Sequence, residues 1–101
     1  MIHHGVDEAI WNNIINICRH YPEVSNIILY GSRARGDFKI GSDIDIAIDA
    51  PNLSPKRFAL LWNELDDLPI IYSMDILHLQ RITNTKLLHA IQTEGIILNK
   101  P

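Results

Sequence analysis

The stretch that decides the fold is Gly31–Asp49, GSRARGDFKIGSDIDIAID. Its second half alternates without a fault. Ile44, Ile46 and Ile48 point to one side of an extended chain, while Asp43, Asp45, Ala47 and Asp49 point to the other. This is the signature of a β-strand with an apolar face against a core and an acidic face left free. The first half carries Gly31, Gly36 and Gly41 among alternating charges, which suits a turn with one or two helical turns. Charge is segregated along the stretch: Arg33, Arg35 and Lys39 outnumber Asp37, whereas Asp43–Asp49 holds aspartates and no cation.

Working outward, Val24–Tyr30 reads as a strand ending at Gly31. Its run Ile27, Ile28, Leu29, Tyr30 is continuous rather than alternating, as expected of a strand covered on both faces. Before it, Ile10, Ile14, Ile17, Cys18 and Tyr21 recur at helical spacing over residues 7–20, with Pro22 closing the segment. After the acidic strand, Ser54-Pro55 forms an N-cap followed by proline in the first turn. Phe58, Leu61, Trp62, Leu65 and Leu68 then mark a helix stopped by Pro69. Ile70–Leu77 supplies a further strand with Ile71, Ser73 and Asp75 on one face. A last helix is expected over about residues 85–93, capped by Gly95, and Ile96–Leu98 is a short final strand. A small sheet covered by helices on one side, a two-layer α/β domain over residues 1–101, is the simplest solution.

Composition bounds the function. The chain has 101 residues, 47% of them hydrophobic and 21% charged, which fits one globular domain. A net charge of -3 argues against stable coating of nucleic acid or anionic membrane, where a basic surplus supplies the affinity. No apolar run approaches the roughly 18 residues of a membrane span, and the start lacks a signal-peptide layout. With the single Cys18 permitting no internal disulfide, the expected location is the cytoplasm. Histidines 3, 4, 20, 78 and 89 show no metal-ligand spacing, and His3 and His4 fall ahead of the first helix, where no regular element is expected.

Asp43 and Asp45 are the sharpest chemical feature. Residues i and i+2 of a strand point the same way about 7 Å apart, and two such carboxylates repel unless a cation lies between them. The pair is either a wet sheet face or an oxygen-rich site of the kind magnesium favours. The turn upstream offers Gly31, which allows close backbone approach, and Ser32, whose hydroxyl and neighbouring N–H groups can hold a phosphate. Arg33 and Arg35 are either surface groups or phosphate ligands. Asp75 is either a polar strand end or a third carboxylate brought beside Asp45 by strand pairing. Converging carboxylates could hold two magnesium ions and a triphosphate.

With these residues in place, the sequence resembles the minimal nucleotidyltransferases of the polymerase-beta-like superfamily. Gly31-Ser32 is followed by ten residues, Arg33 to Ser42, and then by Asp43-Ile44-Asp45. IYSMDILHL, residues 71–79, resembles the family's third-carboxylate strand, and EGIILN, residues 94–99, its closing strand. The resemblance implies a small mixed sheet flanked by helices. It also implies a site with two Mg2+ ions and ATP as substrate, Asp43, Asp45 and Asp75 acting as metal ligands, and Asp75 helping to deprotonate the acceptor. Gly31 and Ser32 would contact the phosphates, with Arg33, Arg35 and Ser42 nearby. Small members of this kind, the MNT antitoxins, are paired with a HEPN-domain toxin and transfer AMP to a tyrosine of it, which makes a hetero-oligomer, or a homo-oligomer, the expected assembly. Little of the chain remains to enclose an acceptor, which favours a protein substrate over a small molecule. The alternatives are an inactive module that neutralises its partner by binding alone and an aminoglycoside-type transferase.

Overall fold

The alternation at Ile44–Asp49 sorts the molecule into two sides. In a computed structural model that describes residues 1–100, Ile44, Ile46 and Ile48 are fully buried and share one core with Ile27, Leu29 and Ile76 of the neighbouring strands. Each such isoleucine contributes roughly 1.5–3 kcal/mol through removal of apolar surface from water. Chain order is β1 (Ile2–His3), β2 (Val6–Asp7), α1 (Glu8–Cys18), β3 (Asn26–Tyr30), α2 (Gly31–Arg35), β4 (Ile44–Asp49), α3 (Pro55–Asp66), β5 (Met74–His78), a 3-10 turn (Leu79–Arg81), α4 (Thr85–Glu94) and β6 (Ile96–Ile97). The main sheet runs β5-β4-β3-β6, with β4 and β5 parallel across the α3 crossover and the other pairs antiparallel. This is a small α+β arrangement with a mixed sheet flanked by helices.

Local chemistry sets the helix boundaries. The Asp7 carboxylate accepts from the Ala9 amide at the start of α1, Ser54 Oγ from the Arg57 amide at α3, and Asn84 Oδ1 from the Leu87 amide at α4. α1 lays Trp11, Ile14 and Cys18, and α3 lays Leu61 and Leu65, on the Ile44–Ile46–Ile48 face. The sequence reading covered the sheet on one side; α4 occupies the other. Ile91 and Leu87 pack there with Tyr30, Ile28, Ala47 and Leu77, the residues of β3, β4 and β5 that face away from the first core. A helical stripe shows that a helix is covered on one side without saying which sheet face covers it. The continuous run Ile27–Tyr30 is explained by the same division, since its residues feed the two cores in turn.

Two local expectations change. The third strand starts at Met74 rather than Ile70, because the Ile70 amide turns back to the Leu68 carbonyl (2.8 Å) and Ile71 is fully outside the core, 92% exposed. Residues 2–7 form a hairpin instead of an irregular lead-in, turning through His4 (φ 54°) and Gly5 (φ 75°). Trp11 Nε1 donates to the His3 carbonyl at 2.9 Å and ties that hairpin to α1. No helix of the described residues is long and apolar enough to cross a membrane.

Candidate functional site

The second, acidic side of β4 reaches the sheet end where β3 gives way to α2. Strand register places Asp45 between Tyr30 on β3 and Asp75 on β5. Neighbouring strands lie about 4.8 Å apart and directly paired residues point to the same face, so Asp45 and Asp75 share one patch. Asp43, two residues earlier, precedes β4 on that side. Asp43 and Asp75 are exposed and Asp45 is half-buried, so the cluster opens to solvent. Its inner wall is Tyr30, 7% exposed, whose hydroxyl lies 3.4 Å from Asp75 Oδ2 and donates to it. Tyr30 packs in the second core as its place in the apolar run implies, but an aromatic at a strand end carries no sign of where its hydroxyl goes.

Gly31 abuts Asp45. Its φ is +75°, a left-handed conformation, and a methyl group built on it would overlap Asp45 Oδ2. Glycine is therefore required here for both the turn and the approach of the Asp45 side chain. Ser32 follows as the second residue of α2, partly buried, with its carbonyl accepting from the Gly36 and Asp37 amides at 2.9 and 3.1 Å.

The electrostatics match a group that lacks a counter-charge. Burial first, then the negative charges of Asp75 and Asp43, raise the Asp45 carboxyl above its ordinary value of 3.8; Arg35 and Arg33 offset this in part. Burial and the charges of Asp75 and Asp45 also push the Tyr30 phenol well upward, so its hydroxyl stays protonated as a donor. Because the folded-state pKa of Asp45 exceeds the unfolded one, the ionised carboxylate costs stability as pH rises through and above 3.8. Asp45→Asn is accordingly expected to raise the midpoint of thermal unfolding at pH 7 without divalent cations. The gain should vanish as pH falls below that value, and a variant no more stable than wild type at pH 7 would contradict the stated electrostatics.

A cation would relieve this repulsion. Among the described residues no three His, Cys, Asp or Glu side chains lie together as a group that could hold a metal ion by themselves. The donor set still fits magnesium, which keeps waters and takes phosphate oxygens beside one or two carboxylates rather than a closed protein shell.

Three of the residues expected at the phosphates lie differently. Arg33 is buried, 2% exposed. Its Nε and Nη2 donate to the Ser42 carbonyl at 3.1 and 2.8 Å, and its Nη1 to the His4 carbonyl at 3.0 Å. Its guanidinium is spent inside the fold, and the expectation that it binds phosphate is corrected. Ser42 is engaged on its own loop at the surface, its Oγ accepting from the Lys39 amide at 2.8 Å. Arg35 lies exposed on α2, paired with Asp37 and with Glu94 of α4 at 3.3 Å each. Such surface pairs are weak, so its fork can be redirected to an anion at modest cost.

Residues 12–100 match the family described as Polymerase beta, Nucleotidyltransferase. No curated protein sequence matches the chain significantly. A chain in a crystal structure of a toxin–antitoxin with AMP-PNP is 29% identical with a TM-score of 0.72, over 90% of this chain and 73% of that one. Another, in a tri-AMPylated Shewanella oneidensis HEPN toxin in complex with MNT antitoxin, is 26% identical with a TM-score of 0.68, over 93% and 72% of the two chains. A third, in the toxin-antitoxin MntA-HepT, is 26% identical with a TM-score of 0.68, over 94% and 74%.

Proposed function

Given that the chain belongs to the polymerase beta nucleotidyltransferase family, we propose that it is a magnesium-dependent protein adenylyltransferase, an antitoxin that transfers AMP from ATP to a tyrosine hydroxyl of a HEPN-domain toxin. It acts as a single domain over residues 1–101, in the cytoplasm and in a hetero-oligomer with that toxin. The neighbours support the nucleotide and the acceptor, since one was crystallised with AMP-PNP and another contains a tri-AMPylated HEPN toxin beside an MNT antitoxin. The reading rests above all on the register that pairs Asp45 with Asp75, with Gly31 against Asp45.

Each residue then has a task. Asp43 and Asp45, with Asp75, hold the divalent cations, two Mg2+ ions. When bound, these supply positive charge to the triphosphate and lower the pKa of the attacking hydroxyl. Gly31 and Ser32 approach the β- and γ-phosphates at the turn, and Arg35 leaves Asp37 and Glu94 for a phosphate oxygen. Asp75, exposed at the rim, receives the proton of the tyrosine hydroxyl. The phenolic oxygen bonds to the α-phosphorus, the bond from that phosphorus to the bridging oxygen breaks, and pyrophosphate leaves.

The decisive experiment is mass spectrometry of a co-expressed HEPN partner after incubation of the pure complex with magnesium and ATP labelled on the α-phosphate. Added AMP on a tyrosine is the expected outcome. A partner that is neutralised yet carries no AMP would replace catalysis with inhibition by binding alone.

A further inference from the structure

We propose that Arg33 is a positioning residue that holds the segment 42–44, and thereby Asp43, in place, with the N-terminal hairpin as its backing. The inference rests on Asp43 acting in the transfer site and adds how that carboxylate is fixed. Asp43 lies one residue ahead of β4, is exposed, and so owes its place to its neighbours. On one side the Ser42 carbonyl takes two donors from the Arg33 fork, at 3.1 and 2.8 Å. On the other the Ile44 amide donates to the Ser73 carbonyl at 2.9 Å.

The guanidinium is itself tightly determined. It lies between two rings, 5.0 Å from the centre of Phe38 and 4.9 Å from that of Tyr72. Phe38 belongs to the loop that leads to Asp43, and Tyr72 to the segment that leads to Asp75, so one side chain joins both approaches. Behind it, Nη1 donates to the His4 carbonyl at 3.0 Å, the His4 ring Nδ1 lies 3.2 Å from the Arg33 carbonyl, and the Tyr72 hydroxyl reaches the Gly5 carbonyl at 3.4 Å. A methyl group on Gly5 would overlap Phe38 and crowd Arg33 Nη1, which explains a glycine at the hairpin tip. A buried cation is costly unless its donors are satisfied. Here carbonyls and aromatic faces do this, and among the described residues no carboxylate pairs with it, an arrangement suited to holding backbone rather than binding an anion. Lysine cannot reproduce it, because it lacks the planar fork.

The test compares wild type, Arg33→Lys and the milder Phe38→Leu by residue-resolved amide hydrogen exchange. In both variants the Ser42 and Ile44 amides should exchange faster, by about 10- to 100-fold in Arg33→Lys, while those of Ile27 and Ile46 stay within about twofold of wild type. Uniform acceleration across the sheet, or none at residues 42 and 44, would overturn the proposal. In AMP transfer, Arg33→Lys should lower kcat by about tenfold or more with the KM for ATP little changed. Combined with Asp43→Asn it should add nothing to the loss from Asp43→Asn alone. A rise in KM at constant kcat, or losses that multiply, would mean that Arg33 works independently of Asp43 and defeat the proposal. Absence of transfer by the wild-type protein would tell against the adenylyltransferase reading, and the exchange data would still decide whether Arg33 fixes the segment.

Discussion

Replacing Asp43 and Asp45 together by Asn is expected to lower AMP transfer by at least about 10³-fold while leaving the protein folded. The charge supplied at the triphosphate by bound cations is worth several kcal/mol of barrier, and each 1.36 kcal/mol is about a factor of ten in rate. Asn keeps the shape of Asp but removes its charge and most of its affinity for magnesium. Neither position belongs to a core, since Asp43 is exposed and Asp45 half-buried at the open sheet end. The measurement is transfer of labelled AMP to the partner, with thermal unfolding followed in parallel. Transfer surviving in a folded double variant would remove these carboxylates from the chemistry. Neutralisation of the toxin that persists after transfer is lost would assign the protective effect to binding.

The second large effect is expected from Gly31→Ala. A left-handed backbone costs a side-chain-bearing residue about 1–2 kcal/mol, which for a domain of this size lowers the unfolding midpoint by roughly 4–16 °C. Added to this, the new methyl group would overlap Asp45 Oδ2 and push that carboxylate from its place. A displacement on the order of 1 Å in a reacting group costs about 100-fold in rate. Gly36→Ala is the matched control, because Gly36 also has a positive φ, +92°, but a methyl there meets nothing within 4 Å. Gly36→Ala should therefore lose stability while keeping transfer. Equal loss of transfer in both variants would show that the contact between Gly31 and Asp45 has no bearing on the reaction.

The elements that carry the carboxylates were legible because they obey simple periods. The alternation at Ile44–Asp49, the Gly31 turn and the Ser54-Pro55 helix start each have a local cause that the structure retains. Gly95 was expected to end α4, and it does, although in an extended conformation (φ -66°, ψ 146°) rather than a left-handed one. A side chain there would collide with the Ile91 carbonyl and Ile28. What stayed hidden depends on contacts between distant segments. Two-residue strands such as Ile2–His3 and Val6–Asp7 are too short to show a period. Arg33, in a polar loop, gives no local sign of burial, because the rings and carbonyls that surround it come from residues 4, 38, 42 and 72. The same holds for the Tyr30 hydroxyl, whose partner is 45 positions away.

In β4, the letters that build the core and those that serve the reaction are interleaved, isoleucine against acid, over Ile44–Asp49. Sliding this strand by one residue would turn Asp45 into the isoleucine-lined core and move three isoleucines to the side that α4 covers only around Ala47, a mispairing that the folding energetics reject strongly. The hydrophobic effect thus proofreads the aim of the carboxylates: the burial of three isoleucines in one core sets Asp45 on the other side of the strand, beside Gly31.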